Sequence, residues 1–247
     1  MRILALDSSG LVASVAIVEK NETDEQLIAQ YTVNYKKTHS QTLLPMLDEV
    51  AKMIELDMNT IDAIAVAGGP GSFTGLRIGS ATAKGMGLAL KKPLIHIPTL
   101  EGLAYNLCHT SAIVCPIMDA RRRQVYTGIY KFEGSKLIVL EDQMAIGIEE
   151  LGEKLLAYDE EIIFLGDGVP VFKNDLTENI LAGRNISFAP AHMNRQRAAS
   201  TAVRAAQIFA EKGTEALVSA DDFRPEYLRV PQAERERGDK RNYKVFV

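Results

Sequence analysis

A glycine-rich loop, AVAGGPGSFTGLRIG at residues 65–79, is the feature of this sequence best suited to hold a phosphate group. It follows an apolar run and precedes a helical pattern, and the free N–H groups at a helix N-terminus attract anions. The loop lacks the P-loop glycine and lysine, and it misses the G-x-G-x-x-G spacing by one place. Ser72 and Thr74 are equally suited to cap the helix. The sequence leaves two interpretations open, an anion site or a plain capped helix.

The same segment carries small residues at helical spacing. They form two rows on roughly opposite sides of the helix: Gly71, Gly75, Gly79, Ala83 and Gly87 in one row, and Ala81, Gly85 and Ala89 in the other. Glycine inside a helix costs about 1 kcal/mol relative to alanine, so these rows indicate that something packs closely on the helix backbone. One row can face the chain's own sheet, and the other then contacts the first helix or another subunit.

Other reactive side chains form no familiar catalytic motif. The sequence contains no G-x-S-x-G elbow and no HExxH pair. Cys108 precedes His109, which suggests a metal ligand pair, but small buried hydrophobic roles fit both Cys108 and Cys115 better. Two arginine groups, 121–123 and 195/197/204, could contact nucleic-acid phosphates. Solvated ion pairs are the simpler interpretation of both groups, because no aromatic residues are interleaved to stack bases.

The overall composition is typical of a chain that can bury a substantial core. It has 247 residues, of which 47% are hydrophobic and 24% charged, and a formal net charge of −4. That charge gives no general attraction for a polyanion, so contact with nucleic acid has to be local or made through a partner. Two cysteines fit a reducing compartment, and the apolar run after Arg2 is too short for a signal peptide. We therefore expect a cytoplasmic protein without a membrane span.

Periodicity in the sequence predicts the same series of elements twice. Three strands are followed by alternating helices and strands, and the pattern begins again near residues 110–112. We expect an N-terminal domain at 1–110, a C-terminal domain at 111–223 and a charged tail at 224–247 that wraps back on the body. This duplication resembles the actin-like ATPase superfamily, in which two ribonuclease-H-like domains close on a nucleotide. The fold class is therefore α/β, with three meandering strands in the mixed sheet of each domain.

Five sequence blocks resemble the TsaB (YeaZ) family. They are LALDSS at 4–9, HSQTLLP at 39–45, GGPGSFTGLRIG at 68–79, DARRRQVY at 119–126 and YLRVPQAE at 227–234. The resemblance covers residues 1 to about 238 and implies a non-catalytic partner of the paralogue TsaD and the ATPase TsaE, with tRNA reached through the complex. Together these proteins place a threonylcarbamoyl group on the adenosine beside the anticodon, in tRNAs reading codons that begin with A.

The resemblance also offers a comparison with the catalytic paralogue. TsaD carries two histidines at i and i+4 on its first long helix, which places both imidazoles on one face to hold a metal ion. In this sequence His39 is followed at i+4 by Leu43. We therefore expect no metal site and no catalytic residue. The alternative is an enzyme in its own right, either an actin-like ATPase or a glycoprotease-like metallopeptidase.

Weak, vestigial binding of ATP or ADP with Mg²⁺ is a further expectation from the superfamily, although no cofactor is firmly implied. Asp7 begins the first hairpin and Asp119 occupies the equivalent point in the second half, so both carboxylates could face one cleft. The simpler interpretation is that Asp7 and Ser8 shape a tight hairpin and that Asp119 pairs with Arg121 or Arg122. The candidate nucleotide residues are Asp7, Ser8, Ser9, Ser72, Thr74, Asp119, Gly166 and Gly168.

The first two helices are the expected contact surface for TsaD. An apolar stripe beside a row of glycines would bury well against a similar pair of helices, and the same surface could form a homodimer when the partner is absent. The candidate interface residues are Leu43, Leu47, Val50 and Ile54 on the first helix and Gly75, Gly79 and Ala83 on the second.

Overall fold

A computed structural model describes residues 1–35 and 38–229 of the chain. The elements of the first half are β1 (Arg2–Asp7), β2 (Ala13–Lys20), β3 (Glu25–Val33), α1 (His39–Met53), β4 (Ala63–Gly69), α2 (Phe73–Leu90), β5 (Leu94–Pro98) and α3 (Thr99–Ala104). Those of the second half are β6 (Ile113–Asp119), β7 (Gln124–Glu133), β8 (Lys136–Gly147), α4 (Ile148–Leu155), β9 (Ile162–Leu165), α5 (Val169–Asp175), β10 (Ile186–Phe188) and α6 (Ala198–Lys212).

Each half contains one five-stranded mixed sheet with the same topology. The strand order is β3-β2-β1-β4-β5 in the first sheet and β8-β7-β6-β9-β10 in the second. In both, the central strand pairs antiparallel with the strand that follows it and parallel with the strand after the first long helix. The predicted duplication and the α/β fold class with two ribonuclease-H-like halves are therefore confirmed.

The central strand β1 is apolar along its length because both of its faces are covered. Leu4 and Leu6 face the cluster that includes α1, whereas Ile3 and Ala5 face the cluster formed by α6. A strand between two layers of helices has no solvent face, so it loses the alternation of polar and apolar residues. This burial fixes the end of β1, and hence the hairpin at residues 7–10, beneath the space between the two halves.

The last helix of each half crosses toward the other half. Helix α6 packs on β1 and β2 of the first sheet, while α3 packs against β6 and β7 of the second. A buried ion pair joins them, with Arg204 Nε donating to Glu101 Oε2 at 2.7 Å. The division of the chain at residue 110 stays a prediction, and these two helices tie the halves together across it.

The tail wraps back on the body as far as the structure describes it. Phe223 is buried against His96, with ring centroids 5.6 Å apart, and residues 224–229 continue along the space between the halves. The rest of the predicted tail, 230–247, lies outside the described residues. Among the helices of the described part, none is both long and apolar enough to cross a lipid bilayer.

Candidate functional site

A cleft of about 550 Å³ separates the two halves, at the carboxyl ends of β1, β4 and β6. Ligands of open α/β sheets usually bind at this edge. The first half contributes Ser9, Gly10, Leu11, Tyr35, His39, residues 70–73 and Leu76; the second contributes residues 118–121, Tyr126 and Asp167; and residues 226–229 of the tail form a third wall. Of the eight candidate nucleotide residues, the cleft therefore brings together Ser9, Ser72 and Asp119.

Asp7 lies beneath the cleft, where it shapes the first hairpin. Its side chain is 1% exposed, and its Oδ1 accepts hydrogen bonds from the Ser9 amide at 2.9 Å and the Ser9 hydroxyl at 2.7 Å. Thr201 of α6 donates to the other carboxylate oxygen at 3.4 Å. Burial raises the pKa of Asp7 above its ordinary value, and the bonds from Ser9 partly offset this. The hairpin interpretation of Asp7 is therefore confirmed.

Asp119 reaches the cleft but is already paired. Its Oδ2 lies 3.1 Å from the Arg121 guanidinium, and its Oδ1 accepts the Arg121 amide at 2.8 Å. Asp167, which lines the same wall, accepts the Asp119 amide at 3.1 Å, and burial raises the pKa of Asp167. The ion-pair interpretation of Asp119 is confirmed, and Asp167 lies in the same wall of the cleft.

The glycine-rich loop acts as a helix start and a packing surface. The Ser72 hydroxyl accepts the Gly75 amide at 3.2 Å and so caps α2, while the Ser72 amide donates to the Ser9 carbonyl at 2.7 Å. A Cβ at Gly71 or Gly75 would overlap the carbonyl oxygens of Ser9 and Ser8, respectively. Thr74 is exposed and does not line the cleft. The structure thus favours the capped helix over the anion site.

Ser8 and the second glycine turn are occupied by internal contacts. The Ser8 hydroxyl donates to the Gly75 carbonyl at 2.9 Å in the interior. Gly166 has a φ of +110°, and a Cβ at either Gly166 or Gly168 would collide with the Ile117 carbonyl. The Gly166 amide bonds the Asn194 side chain at 2.8 Å. Ser8 thus packs the first half, Gly166 and Gly168 pack the second, and none of the three lines the cleft.

The described residues do not fit a magnesium–nucleotide pair. Each predicted magnesium carboxylate already has partners, Asp7 in the hairpin and Asp119 with Arg121. The candidate glycines Gly166 and Gly168 pack against the Ile117 carbonyl. In the described part of the chain, no group of three or more histidine, cysteine and acidic side chains could hold a metal ion. We therefore assign no step to a nucleotide or a metal.

The predicted interface residues require a correction. Leu43, Leu47, Val50, Gly75, Gly79 and Ala83 are buried, and Ile54 packs against the same core cluster. They hold α1 and α2 on the first sheet, and the six buried residues are out of reach of a partner. The opposite row on α2, Ala81, Gly85 and Ala89, is exposed, and nothing lies within 4 Å of a Cβ built at Gly85. Leu44 and Met53 on α1 and Leu88 on α2 are exposed as well.

The arginines are largely engaged in ion pairs. Arg123 bonds Glu149 and Asp175, and Arg204 bonds Glu101 and Glu211. Arg195 donates to the Gly166 carbonyl at 2.7 Å. Ion pairing is thus confirmed for the groups of Arg121, Arg123 and Arg204, which leaves fewer guanidinium groups for RNA phosphates than the sequence suggests.

The two cysteines play the small apolar role expected from the sequence. Cys115 is completely buried, and burial raises the pKa of its thiol to about 12. Cys108 is partly exposed, and burial raises its thiol pKa as well. A thiol with a raised pKa is a poor nucleophile and a poor metal ligand.

Two ribonuclease-H-like halves around one cleft define a protein of the actin-like ATPase fold. A family model described as TsaD, tRNA N6-adenosine threonylcarbamoyltransferase, matches residues 26–237. A Bacillus subtilis relative named tRNA threonylcarbamoyladenosine biosynthesis protein TsaB is 31% identical over 95% of this chain and 96% of its own. An Escherichia coli protein of the same name is 30% identical over 68% of this chain and 72% of its own length. The chain belongs to the TsaB (YeaZ) family.

Solved structures agree with this assignment at the level of the fold. YeaZ from Pseudomonas aeruginosa superposes with a TM-score of 0.76, covering 92% of this chain and 99% of that chain at 24% identity. A second Pseudomonas aeruginosa structure, described as similar to peptidase YeaZ, gives a TM-score of 0.74 with the same coverage and identity.

Proposed function

We propose that this chain is the non-catalytic partner of a TsaD-type threonylcarbamoyltransferase and works in the cytoplasm with the ATPase TsaE. The complex would transfer a threonylcarbamoyl group to the adenosine next to the anticodon of tRNAs that read codons beginning with A. Family membership supports the pathway, because the Bacillus subtilis relative, which matches 95% of this chain, is named for tRNA threonylcarbamoyladenosine biosynthesis. In this proposal the tRNA is bound mainly by the other subunits.

The residue at position 43 is the observation that supports a non-catalytic role. The family model that matches is described by the name of the transferase itself, so a specific difference is needed to separate the two roles. In TsaD a second histidine follows the first by four residues, whereas Leu43 here is 1% exposed and fills the core. The remaining His39 is held by the Gly10 carbonyl, 2.8 Å from its Nε2. A metal site on α1 would need a second ligand where the chain has a packed leucine.

The partner surface that we propose is the outward face of α1 and α2. On α2, the exposed small residues Ala81, Gly85 and Ala89 let another backbone approach closely, and Leu88 stands beside them. Leu44 on α1 adds a second exposed apolar side chain. Because the two helices pack on each other, a matching pair from TsaD, or from a second copy of this chain, would complete a four-helix contact.

Reconstitution tests the role. The mixture contains tRNA, ATP, threonylcarbamoyl-adenylate synthase, TsaD and TsaE, with this chain present, absent or in place of TsaD. We expect modified tRNA only when both this chain and TsaD are present. Modification with this chain in place of TsaD would make it the enzyme and would refute the argument from position 43.

A single substitution tests the surface. Leu88→Glu should prevent co-purification with TsaD and leave the melting temperature unchanged, because Leu88 is 55% exposed and a buried charge in an interface is costly. Val171→Glu is the matched control, since Val171 is also 55% exposed but lies on α5 of the second half. Equal TsaD binding by both variants would place the contact elsewhere.

A further inference from the structure

The tail segment at residues 224–229 crosses the mouth of the cleft and contacts the first half on one side. The Glu226 amide donates to the Gly68 carbonyl at 2.7 Å. The Tyr227 ring packs on Phe73, with centroids 5.0 Å apart, and its hydroxyl accepts from Arg77 Nε at 3.4 Å. These bonds fasten the segment to the end of β4 and the beginning of α2.

The same six residues also contact the second half. The Gln143 side chain on β8 donates to Glu226 Oε2 at 2.8 Å. Arg229 donates to the Ala120 carbonyl, at the end of β6, at 2.5 Å. Within the described part of the chain, the segment therefore bridges both walls of the cleft and forms its third wall.

The first half is shaped to receive this segment. Gly69 has a φ of +131°, and a Cβ at this position would overlap the Glu226 carbonyl oxygen. A side chain here would both strain the backbone and push the segment away. Just upstream, Phe223 is buried, and Lys84 donates to its carbonyl at 3.3 Å. An anchor and a glycine cradle therefore position the segment before it enters the cleft.

On the second half, Arg229 of the segment contacts the residue before a strained turn. Arg121, Arg122 and Arg123 all have a positive φ, at 66°, 57° and 56°. Three successive L-residues in this region are unfavourable, so surrounding contacts must hold them there. The bond from Arg229 to Ala120 lies directly before this turn.

We propose that residues 224–229 form a clasp that ties the two walls of the cleft together along its third side. The clasp couples the end of β4 to the turn at 120–123, and its release loosens both walls together. The inference does not rest on the proposed role in tRNA modification.

The tether makes such a clasp effective even if its contacts are weak. A short link gives an attached segment an effective concentration on the order of 1 mM. A Kd of about 0.1 mM for the isolated contacts would then keep the segment docked on both walls about 90% of the time. Single substitutions in the clasp should therefore open a measurable fraction of molecules.

Hydrogen exchange followed by mass spectrometry on the full chain tests the clasp. In Tyr227→Ala we expect about tenfold faster exchange at 224–229, at 68–73 and at 120–124, because local opening sets these rates. Tyr35→Ala is the matched control, since Tyr35 is an exposed tyrosine of the same cleft and should leave the three segments unchanged. Gln143→Ala is the substitute variant if Tyr227→Ala unfolds the chain. It removes only the side-chain bond to Glu226 and should speed exchange at 224–229 and 120–124.

Two results would overturn the proposal. The first is faster exchange of 224–229 in both variants with unchanged exchange at 120–124, because the segment would then be a surface attachment and not a clasp. The second comes from the wild type with Mg-ATP as the probe, where we expect no change. Faster exchange of 224–229 with Mg-ATP would mean that a nucleotide displaces the segment, and the cleft would be a nucleotide site.

Discussion

Replacing Gly75 and Gly85 by alanine distinguishes the two faces of α2. Both glycines lie on the same helix, yet their surroundings differ. A Cβ at Gly75 would overlap the Ser8 carbonyl, which is part of the buried hairpin, whereas a Cβ at Gly85 meets nothing within 4 Å. The pair therefore compares a packed site with an open one while the chemical change is the same.

The expected difference follows from two opposing contributions. Alanine gains at most about 1 kcal/mol over glycine in a helix, and this gain applies in full to Gly85. At Gly75 the added methyl must displace a backbone oxygen, and overpacking of this kind costs about 1–3 kcal/mol. Gly85→Ala should therefore stabilise the chain, and Gly75→Ala should be about 1–3 kcal/mol less stable than Gly85→Ala. Gly79→Ala should fall between them, since its Cβ would lie 2.6 Å from the Ser8 hydroxyl, a side-chain atom.

Urea unfolding gives the free energy of each variant. For a chain of this length, 1 kcal/mol corresponds to a shift of about 2–4 °C in melting temperature, so calorimetry provides a second measurement. Equal stability of Gly75→Ala and Gly85→Ala would refute the reasoning, because it would mean that the hairpin at Ser8 does not pack on α2. Gly85→Ala should also keep TsaD binding within a small factor, since a methyl still leaves the face nearly flat.

Two further predictions concern buried charges. Glu101→Gln should lower the free energy of unfolding by up to about 3 kcal/mol, because it removes a carboxylate that lies 2.7 Å from the 9%-exposed Arg204 side chain. A decrease below about 0.5 kcal/mol in urea unfolding would mean that this ion pair contributes no more than a weak surface pair. Burial raises the folded-state pKa of Asp7 above 3.8, so Asp7 stabilises the fold most below about pH 4 and progressively less as the pH rises toward the folded pKa. The stability of Asp7→Asn relative to the wild type should therefore increase with pH from about pH 4 upward, and a constant difference between pH 3 and 8 would contradict the burial effect.

The element order could be predicted from the sequence because apolar periodicity is a local property. Short apolar runs such as Ile3–Leu6 and the helical spacing of Leu43, Leu47 and Val50 appear in the structure as β1 and α1. The twofold repeat then determines the topology, since both halves have the same strand order. What periodicity did not reveal is the crossing of α3 and α6, because the sheet against which a helix packs depends on contacts distant in sequence.

The site was predicted less well, for a different reason. A helical pattern shows that two rows of small residues lie on opposite sides of α2, but it does not show which row faces inward. Leu43 and Leu47 were assigned to an interface because apolar residues suit both a core and a contact. Only the position of the Ser8–Ser9 hairpin, which packs against Gly71, Gly75 and Gly79, shows which row of α2 faces inward. Similarly, Asp119 is a plausible magnesium ligand until Arg121 is seen to fold back on it.

The same hairpin gives the glycine-rich loop a structural role. Gly71, Gly75 and Gly79 let α2 lie close against Ser8 and Ser9, and Ser72 bonds both the hairpin and the helix. The depth and rotation of α2 on the sheet are therefore set by the loop that resembles a phosphate cradle. Because α2 is rigid, that rotation also decides that Ala81, Gly85 and Leu88 point outward. The glycine-rich motif thus determines which face of α2 points away from the sheet.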